Sequence, residues 1–210
     1  MKNFKVIDNF LKQDHFEKLR DLQLEYNGPK TATVYRNIID NNGGTDLSCL
    51  SENLIKTFYD EYTSIGLQIL KELSPKKVEL FDYSEFSIIE TGKDYSFPIH
   101  RDIPTKLLSG VIYLTPQKNN GTYIYENKNG KNKKEIEWKQ NRAFFFSRSE
   151  ESSWHSYEGD KISNRIVLVY NMMTKDLKRV CEIENINFYK VKLREKINPI
   201  LYRYFKFTIK

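Results

Sequence analysis

After Ser74-Pro75 the chain stops reading as helix and becomes a succession of short apolar runs rich in β-branched and aromatic residues, separated by turns. Runs of this kind near 78–90, 95–100, 106–115, 121–127, 133–138, 142–147, 153–157 and 163–172 predict eight strands. Asn119-Asn120-Gly121 and Asn129-Gly130 are good hairpin turns. Strands at this spacing predict a two-sheet jelly-roll barrel over 78–172. The segment before it supplies helices to cover one sheet. Residues 4–7 read as a short strand. A helix is expected over 14–26, with Phe16, Leu19, Leu22 and Tyr26 on one face and Gly28-Pro29 as its stop. Residues 33–39 read as extended or loop-like. A second helix is expected over 51–73, capped by Ser51, with Leu54, Phe58, Tyr62, Ile65, Ile69 and Leu73 facing the core. The class is mainly β with flanking helices (α+β).

The chemistry concentrates in His100-Arg101-Asp102, His155 and Arg165. On an extended strand residues two apart point the same way, so His100 and Asp102 share a side. The chain has only His15, His100 and His155, and His155 lies in the plausible strand Trp154-His155-Ser156-Tyr157. Two imidazoles and one carboxylate on one face make the donor set of a non-haem Fe(II) site with open positions. An H-x-D triplet alone is a weak signal. Its order along expected strands, with an arginine ten residues past the second histidine, strengthens it. That Arg165 would hold the far carboxylate of a chelating dicarboxylate by paired hydrogen bonds. Val167 and Asn171 share its face, Val167 lining the pocket and Asn171 closing its inner end. Ser109, Val111 and Tyr113 share a face of their own strand, so Tyr113 and Arg165 can both look inward. Arg101 would point to the outer lip, and Tyr123 and Tyr125 alternate onto one face near the mouth.

Together with Val6-Ile7-Asp8-Asn9-Phe10-Leu11, Gly110-Val111-Ile112-Tyr113-Leu114-Thr115 and Asn120-Gly121-Thr122-Tyr123, these residues resemble the 2-oxoglutarate- and Fe(II)-dependent oxygenases of the prolyl 4-hydroxylase-like branch, over roughly residues 3–172. The resemblance implies a double-stranded β-helix. It implies Fe(II) on His100, Asp102 and His155, and 2-oxoglutarate with its tail on Arg165 and Tyr113. It further implies O2 as oxidant, succinate and CO2 as products, and ascorbate as an optional stimulant. It makes the segment of Arg36 and Asn37 a lid. The implied reaction is hydroxylation of a protein side chain, proline among the candidates, or of a small molecule. Where many members carry Tyr-x-x-Gly, this chain reads Ile89-Glu90-Thr91-Gly92, which removes one expected cosubstrate hydrogen bond. The nucleobase dealkylases of the same superfamily carry a second Arg where Asn171 stands here. A cupin-like binding protein with a non-catalytic metal site is the reading from a different class.

A length of 210 residues suits one domain with a sizeable core. The net charge of +6 is not spread evenly: residues 175–210 hold ten Lys/Arg and four acids, and residues 1–174 balance at 24 of each. A neutral catalytic part counts against a nucleic-acid substrate. The domain is therefore expected over 1–174. A basic helical extension over 175–210 should pack its stripe of Tyr189, Leu193, Ile197, Leu201 and Tyr204 on the barrel or on a second subunit of a homodimer, with Pro199 interrupting it. No apolar run approaches the roughly 20 residues of a membrane-spanning helix. Met1-Lys2-Asn3-Phe4-Lys5 carries no apolar signal core. Cys49 and Cys181 are too few and too far apart for a disulfide framework, so the expected compartment is the cytoplasm.

Overall fold

A computed structural model describes residues 4–149, 152–205 and 207–209. Its first half contains β1 (Phe4–Ile7), α1 (Gln13–Arg20), β2 (Ala32–Tyr35), β3 (Ile38–Asp40), β4 (Thr45–Asp46) and α2 (Glu52–Leu73). After a 3-10 turn at Pro75–Leu80 come β5 (Tyr83–Thr91), β6 (Ser96–His100), β7 (Lys106–Thr115), β8 (Thr122–Tyr125) and β9 (Lys134–Ile136). Then follow β10 (Ala143–Phe146), β11 (Trp154–Glu158), β12 (Arg165–Met173), α3 (Leu177–Ile183), α4 (Phe188–Tyr204) and β13 (Phe207–Ile209).

Two sheets face each other. The larger runs β1-β10-β7-β12-β5-β2-β13, with β3 on β5 and β4 on β3; the smaller runs β6-β11-β8-β9. This is the expected mostly antiparallel jelly roll. β12 shows how the sequence builds it. Leu168, Tyr170 and Met172 point outward into the main core with Phe58, Tyr62 and Ile69 of α2. The alternate residues Arg165, Val167 and Val169 line the interior cavity. Both faces are covered, so the strand reads as a continuous apolar run.

Helix α2 matches its expectation. The Ser51 hydroxyl accepts from the Leu54 N–H at 3.4 Å. One position differs: Ile65 faces outward, and the buried neighbour is Gly66. A Cβ there would come within 2.6 Å of the Tyr170 hydroxyl, so the close approach of helix and sheet requires a glycine.

Other expectations need correction. The helix placed over 14–26 ends at Arg20. Beyond it Leu22 and Leu24 pack at alternate positions while Tyr26 is exposed, so the apparent helical spacing was fortuitous. Residues 78–80 belong to the 3-10 turn, not to a strand. α4 continues through Pro199, which removes one hydrogen bond without ending the helix. Of the two places expected for its stripe, the barrel is not the one: in the single chain Tyr189, Leu193, Ile197 and Tyr204 are exposed, while Phe188 and Val191 pack with Leu177, Cys181 and Ile186. The side chain of Leu201 lies outside the described residues. The short parallel strand β13 on β2 was not anticipated. Among the described residues no helix is long and apolar enough to cross a membrane.

Asn37 is a joint of the fold, not part of a lid. Its carbonyl oxygen accepts from the backbone N–H groups of Ser48, Cys49 and Leu50, at 3.0, 3.2 and 3.1 Å. Its amide donates to Tyr35 O and Phe86 O. The side chain is fully buried, so Asn37→Ala should orphan several backbone groups and destabilise the protein by about 3 kcal/mol or more. A melting temperature within a degree of wild type would show that water replaces these bonds.

Candidate active site

His100 closes β6 and His155 sits on β11, directly opposite it in the antiparallel register. Cross-strand partners have close Cβ atoms, and the two ring centroids are 4.1 Å apart. Asp102 is not on the strand. It lies in the loop after it, where the Ser109 hydroxyl donates to its Oδ2 at 2.5 Å and Lys106 Nζ lies 3.5 Å from Oδ1. One ligand atom from each of the three residues falls within 4.8 Å of the others.

The imidazoles are oriented from behind. His100 Nδ1 is 2.9 Å from the Pro98 carbonyl and His155 Nδ1 is 2.9 Å from the Ser153 carbonyl. A carbonyl only accepts, so each Nδ1 carries the proton and each Nε2 keeps its lone pair, the arrangement metal-binding histidines use. Phe97 against His100 and Phe146 against His155 fix the rings. Burial, then the neighbouring His155, pushes the His100 pKa down to about 3. Burial lowers that of His155 too. Both are neutral at pH 7. Burial would raise the Asp102 carboxyl, but Lys106, the imidazoles and Ser109 outweigh it and hold it below the usual carboxylate range. The donor set therefore suits a divalent cation.

These residues open onto a cavity of about 330 Å³ between the sheets. Val111, Val167, Val169 and Ile89 form its apolar wall, and Arg165 lines it with Tyr95, Thr122 and Tyr157. Arg165 is only 4% exposed, and its Nε and Nη1 have no hydrogen-bond partner among the described residues. Its guanidinium lies 3.8 Å from the centroid of the Tyr157 ring and 5.4 Å from those of Tyr113 and Trp138. Aromatic faces attract a cation but satisfy none of its N–H donors. The hydroxyls of Tyr95 and Thr122 are likewise buried without a partner on this cavity. Buried donors facing one space are suited to hold an anion.

No protein-family profile matches the sequence, and no curated protein matches it. Solved structures do. A Pseudomonas putida prolyl-4-hydroxylase aligns at TM-score 0.55 and 13% identity, over 82% of this chain and 93% of that one. An oxidoreductase of the 2OG-Fe(II) oxygenase family from Burkholderia pseudomallei aligns at TM-score 0.57 and 14% identity, over 81% and 85%. A prolyl hydroxylase from Trichoplax adhaerens, solved with a hypoxia inducible factor oxygen degradation domain peptide fragment, aligns at TM-score 0.56 and 15% identity, over 86% and 87%. The chain has the fold of the 2-oxoglutarate- and Fe(II)-dependent oxygenases.

Within this oxygenase fold, Arg165 and Val167 share the cavity with His100, Asp102 and His155, and Arg101 stands at its edge, stacked over Trp154 at 4.4 Å. Other residues stand elsewhere. The Tyr113 hydroxyl is spent on backbone, donating to Ile136 O at 3.0 Å and accepting from Thr122 N at 2.9 Å. Its ring stacks on Trp138 and is off the cavity wall. Tyr113→Phe should therefore cost about 1–3 kcal/mol of stability, because a buried N–H loses its acceptor, and should change the affinity of any 2-oxoglutarate taken by the cavity no more than about twofold. Calorimetry of both quantities decides, and a large affinity loss would restore Tyr113 to the anion cradle.

Asn171 lies one inward position beyond the cavity, where its amide donates to Glu85 at 3.3 Å. Arg36 binds the same carboxylate at 2.8 Å. Burial would raise the Glu85 carboxyl, and the Lys106 and Arg36 cations override it, so the group is held below its usual range. Tyr123 packs under Lys133, and the Tyr125 hydroxyl pairs with Ser156; neither lines the cavity. Tyr95 and Thr122 were not anticipated. Gly92, kept from the expected Tyr-x-x-Gly, has a steric reason: a Cβ there would lie 2.4 Å from the carbonyl oxygens of Gly28 and Pro29.

Proposed function

We propose that this chain is a 2-oxoglutarate- and Fe(II)-dependent dioxygenase that hydroxylates a protein side chain or a small molecule. The observation that carries the reading is the pairing, on one cavity, of a His-Asp-His cluster with a buried arginine whose Nε and Nη1 lack partners among the described residues. Neither alone would suffice. In this reading His100 Nε2, His155 Nε2 and the Asp102 carboxylate hold the iron, and Arg165 holds the cosubstrate's far carboxylate. Tyr95 and Thr122 donate further hydrogen bonds to that anion, Tyr95 in place of the tyrosine replaced by Ile89. Bound iron and 2-oxoglutarate would supply the oxidising chemistry, consuming O2 and releasing succinate and CO2. Val111, Val167, Val169 and Ile89 keep the space between the two anchors dry, which strengthens both. Phe97, Pro98, Ile103 and Phe205 line the same cavity and offer an apolar surface to the primary substrate.

Asn171, paired with Glu85 off the cavity, counts against the nucleobase dealkylase reading. A cytoplasmic site of action fits the need for ferrous iron. Two solved relatives in fold are prolyl hydroxylases, which makes a prolyl peptide the first substrate to try. The test is iron-dependent conversion of 2-oxoglutarate to succinate, followed by a screen for substrates that gain one oxygen atom. No iron-dependent succinate, together with no 2-oxoglutarate binding to the Mn(II)-loaded protein, would overturn the reading.

A further inference from the structure

The basic C-terminal segment carries one buried acid, Glu184, into the interior. Glu184 caps the end of α3, and Leu177, Val180 and Cys181 of that helix are buried, so its carboxylate is carried inward. There it meets two buried cations. Lys77 Nζ, from the 3-10 turn, donates to Glu184 Oε1 at 2.6 Å and to the Arg148 carbonyl at 2.6 Å. Arg148 Nη1 pairs with Glu184 Oε2. All three side chains are at most 5% exposed. The same Arg148 then donates from Nε to the backbone carbonyl of Asp102 at 3.3 Å. An ion pair followed by a charge-assisted hydrogen bond thus runs from the C-terminal helices to the loop that carries a member of the His-Asp-His cluster.

We propose that Glu184, acting through Arg148, is a positioning residue for Asp102, so that the C-terminal segment helps set the affinity of the metal site. The proposal rests on the reading of His100, Asp102 and His155 as ligands. Three features favour positioning over mere stability. Asp102 sits in a loop without regular structure. Two backbone bonds among the described residues hold its far end, Lys106 N to Ile103 O and Thr174 N to Thr105 O, while Arg148 holds the carbonyl of Asp102 itself. The rigid, planar guanidinium spaces its donors apart, so Nη1 of Arg148 can meet Glu184 while Nε meets the Asp102 carbonyl, whereas a lysine in its place would donate from a single nitrogen on a flexible stem. Burying three charges is also a poor way to gain stability alone, since apolar side chains serve as well.

The test compares Arg148→Lys and Glu184→Gln with Leu177→Ala, each read below its own melting temperature. Leu177→Ala loosens the packing of the same helix without touching the network. Mn(II) affinity is measured by titration, and the geometry of the site by the absorption spectrum of the Co(II) form. Arg148→Lys and Glu184→Gln should weaken Mn(II) binding about tenfold to a hundredfold and change the Co(II) spectrum. Leu177→Ala should lower the melting temperature and keep both metal readouts. Wild-type affinity and spectrum in the first two variants would overturn the proposal, as would an equal loss of affinity in Leu177→Ala. His100→Ala in the same titration separates the layers. If it binds Mn(II) as wild type does, the ligand reading itself fails.

Discussion

His100→Ala, Asp102→Ala and His155→Ala should each reduce Fe(II) affinity by more than about a hundredfold and abolish iron-dependent succinate release. Losing an outer partner of a metal ligand typically costs about 10–100-fold, and losing the ligand itself should exceed that. Among the described residues these three form the one cluster that could hold a metal, with no further described donor in it. Asp102→Ala should be the most damaging. It removes the only carboxylate of the cluster and leaves Lys106 beside two imidazoles. The fold should survive, because each side chain lies at a cavity rather than in the aromatic core. Anaerobic titration with Fe(II) or Co(II), with a melting curve of the metal-free protein, checks both halves. Three variants that bind like wild type would remove the basis of the proposed activity.

The cluster was legible because so few alternatives existed. With three histidines in the chain and His15 in the first helix, His100 and His155 had to be the pair. Strand register then places them face to face. Arg165 was legible for a similar reason: a charge opening a β-branched run must be matched inside. What parity cannot give is depth. Alternation correctly puts Tyr113 and Asn171 on the inward faces of their strands, yet the cavity along β12 extends only from Arg165 to Val169. Tyr113 lies behind the cavity wall and Asn171 lies past its end. On β8 the inward residue is Thr122, and a one-residue error of phase selected Tyr123 instead. The link from Glu184 through Arg148 to Asp102 joins residues scattered over the whole chain, and no local pattern announces it. The stripe on α4 was legible as a shared face, but spacing does not say what covers it: in the single chain it is not the barrel.

Arg165 carries the second large effect, and its sign differs between the two states of the protein. With 2-oxoglutarate bound, Arg165→Ala would remove one partner of a buried charge pair, which costs about 3–5 kcal/mol. That corresponds to roughly a hundredfold to a few thousandfold more 2-oxoglutarate for the same occupancy. Arg165→Lys should fall between, keeping the charge and losing the paired geometry. Without 2-oxoglutarate the cation is buried with Nε and Nη1 unpartnered among the described residues and aromatic rings as its nearest company. Replacing it with methionine, of similar reach and no charge, should leave the metal-free, cosubstrate-free protein as stable as wild type or more so. Wild-type protein should therefore melt higher when 2-oxoglutarate is added with Mn(II), by linkage to binding. Arg165→Met should lose that rise while keeping its Mn(II) affinity. A methionine variant that is strongly destabilised on its own, or that retains the 2-oxoglutarate-dependent rise in melting temperature, would show that Arg165 is a structural cation and that the anion cradle lies elsewhere on the cavity.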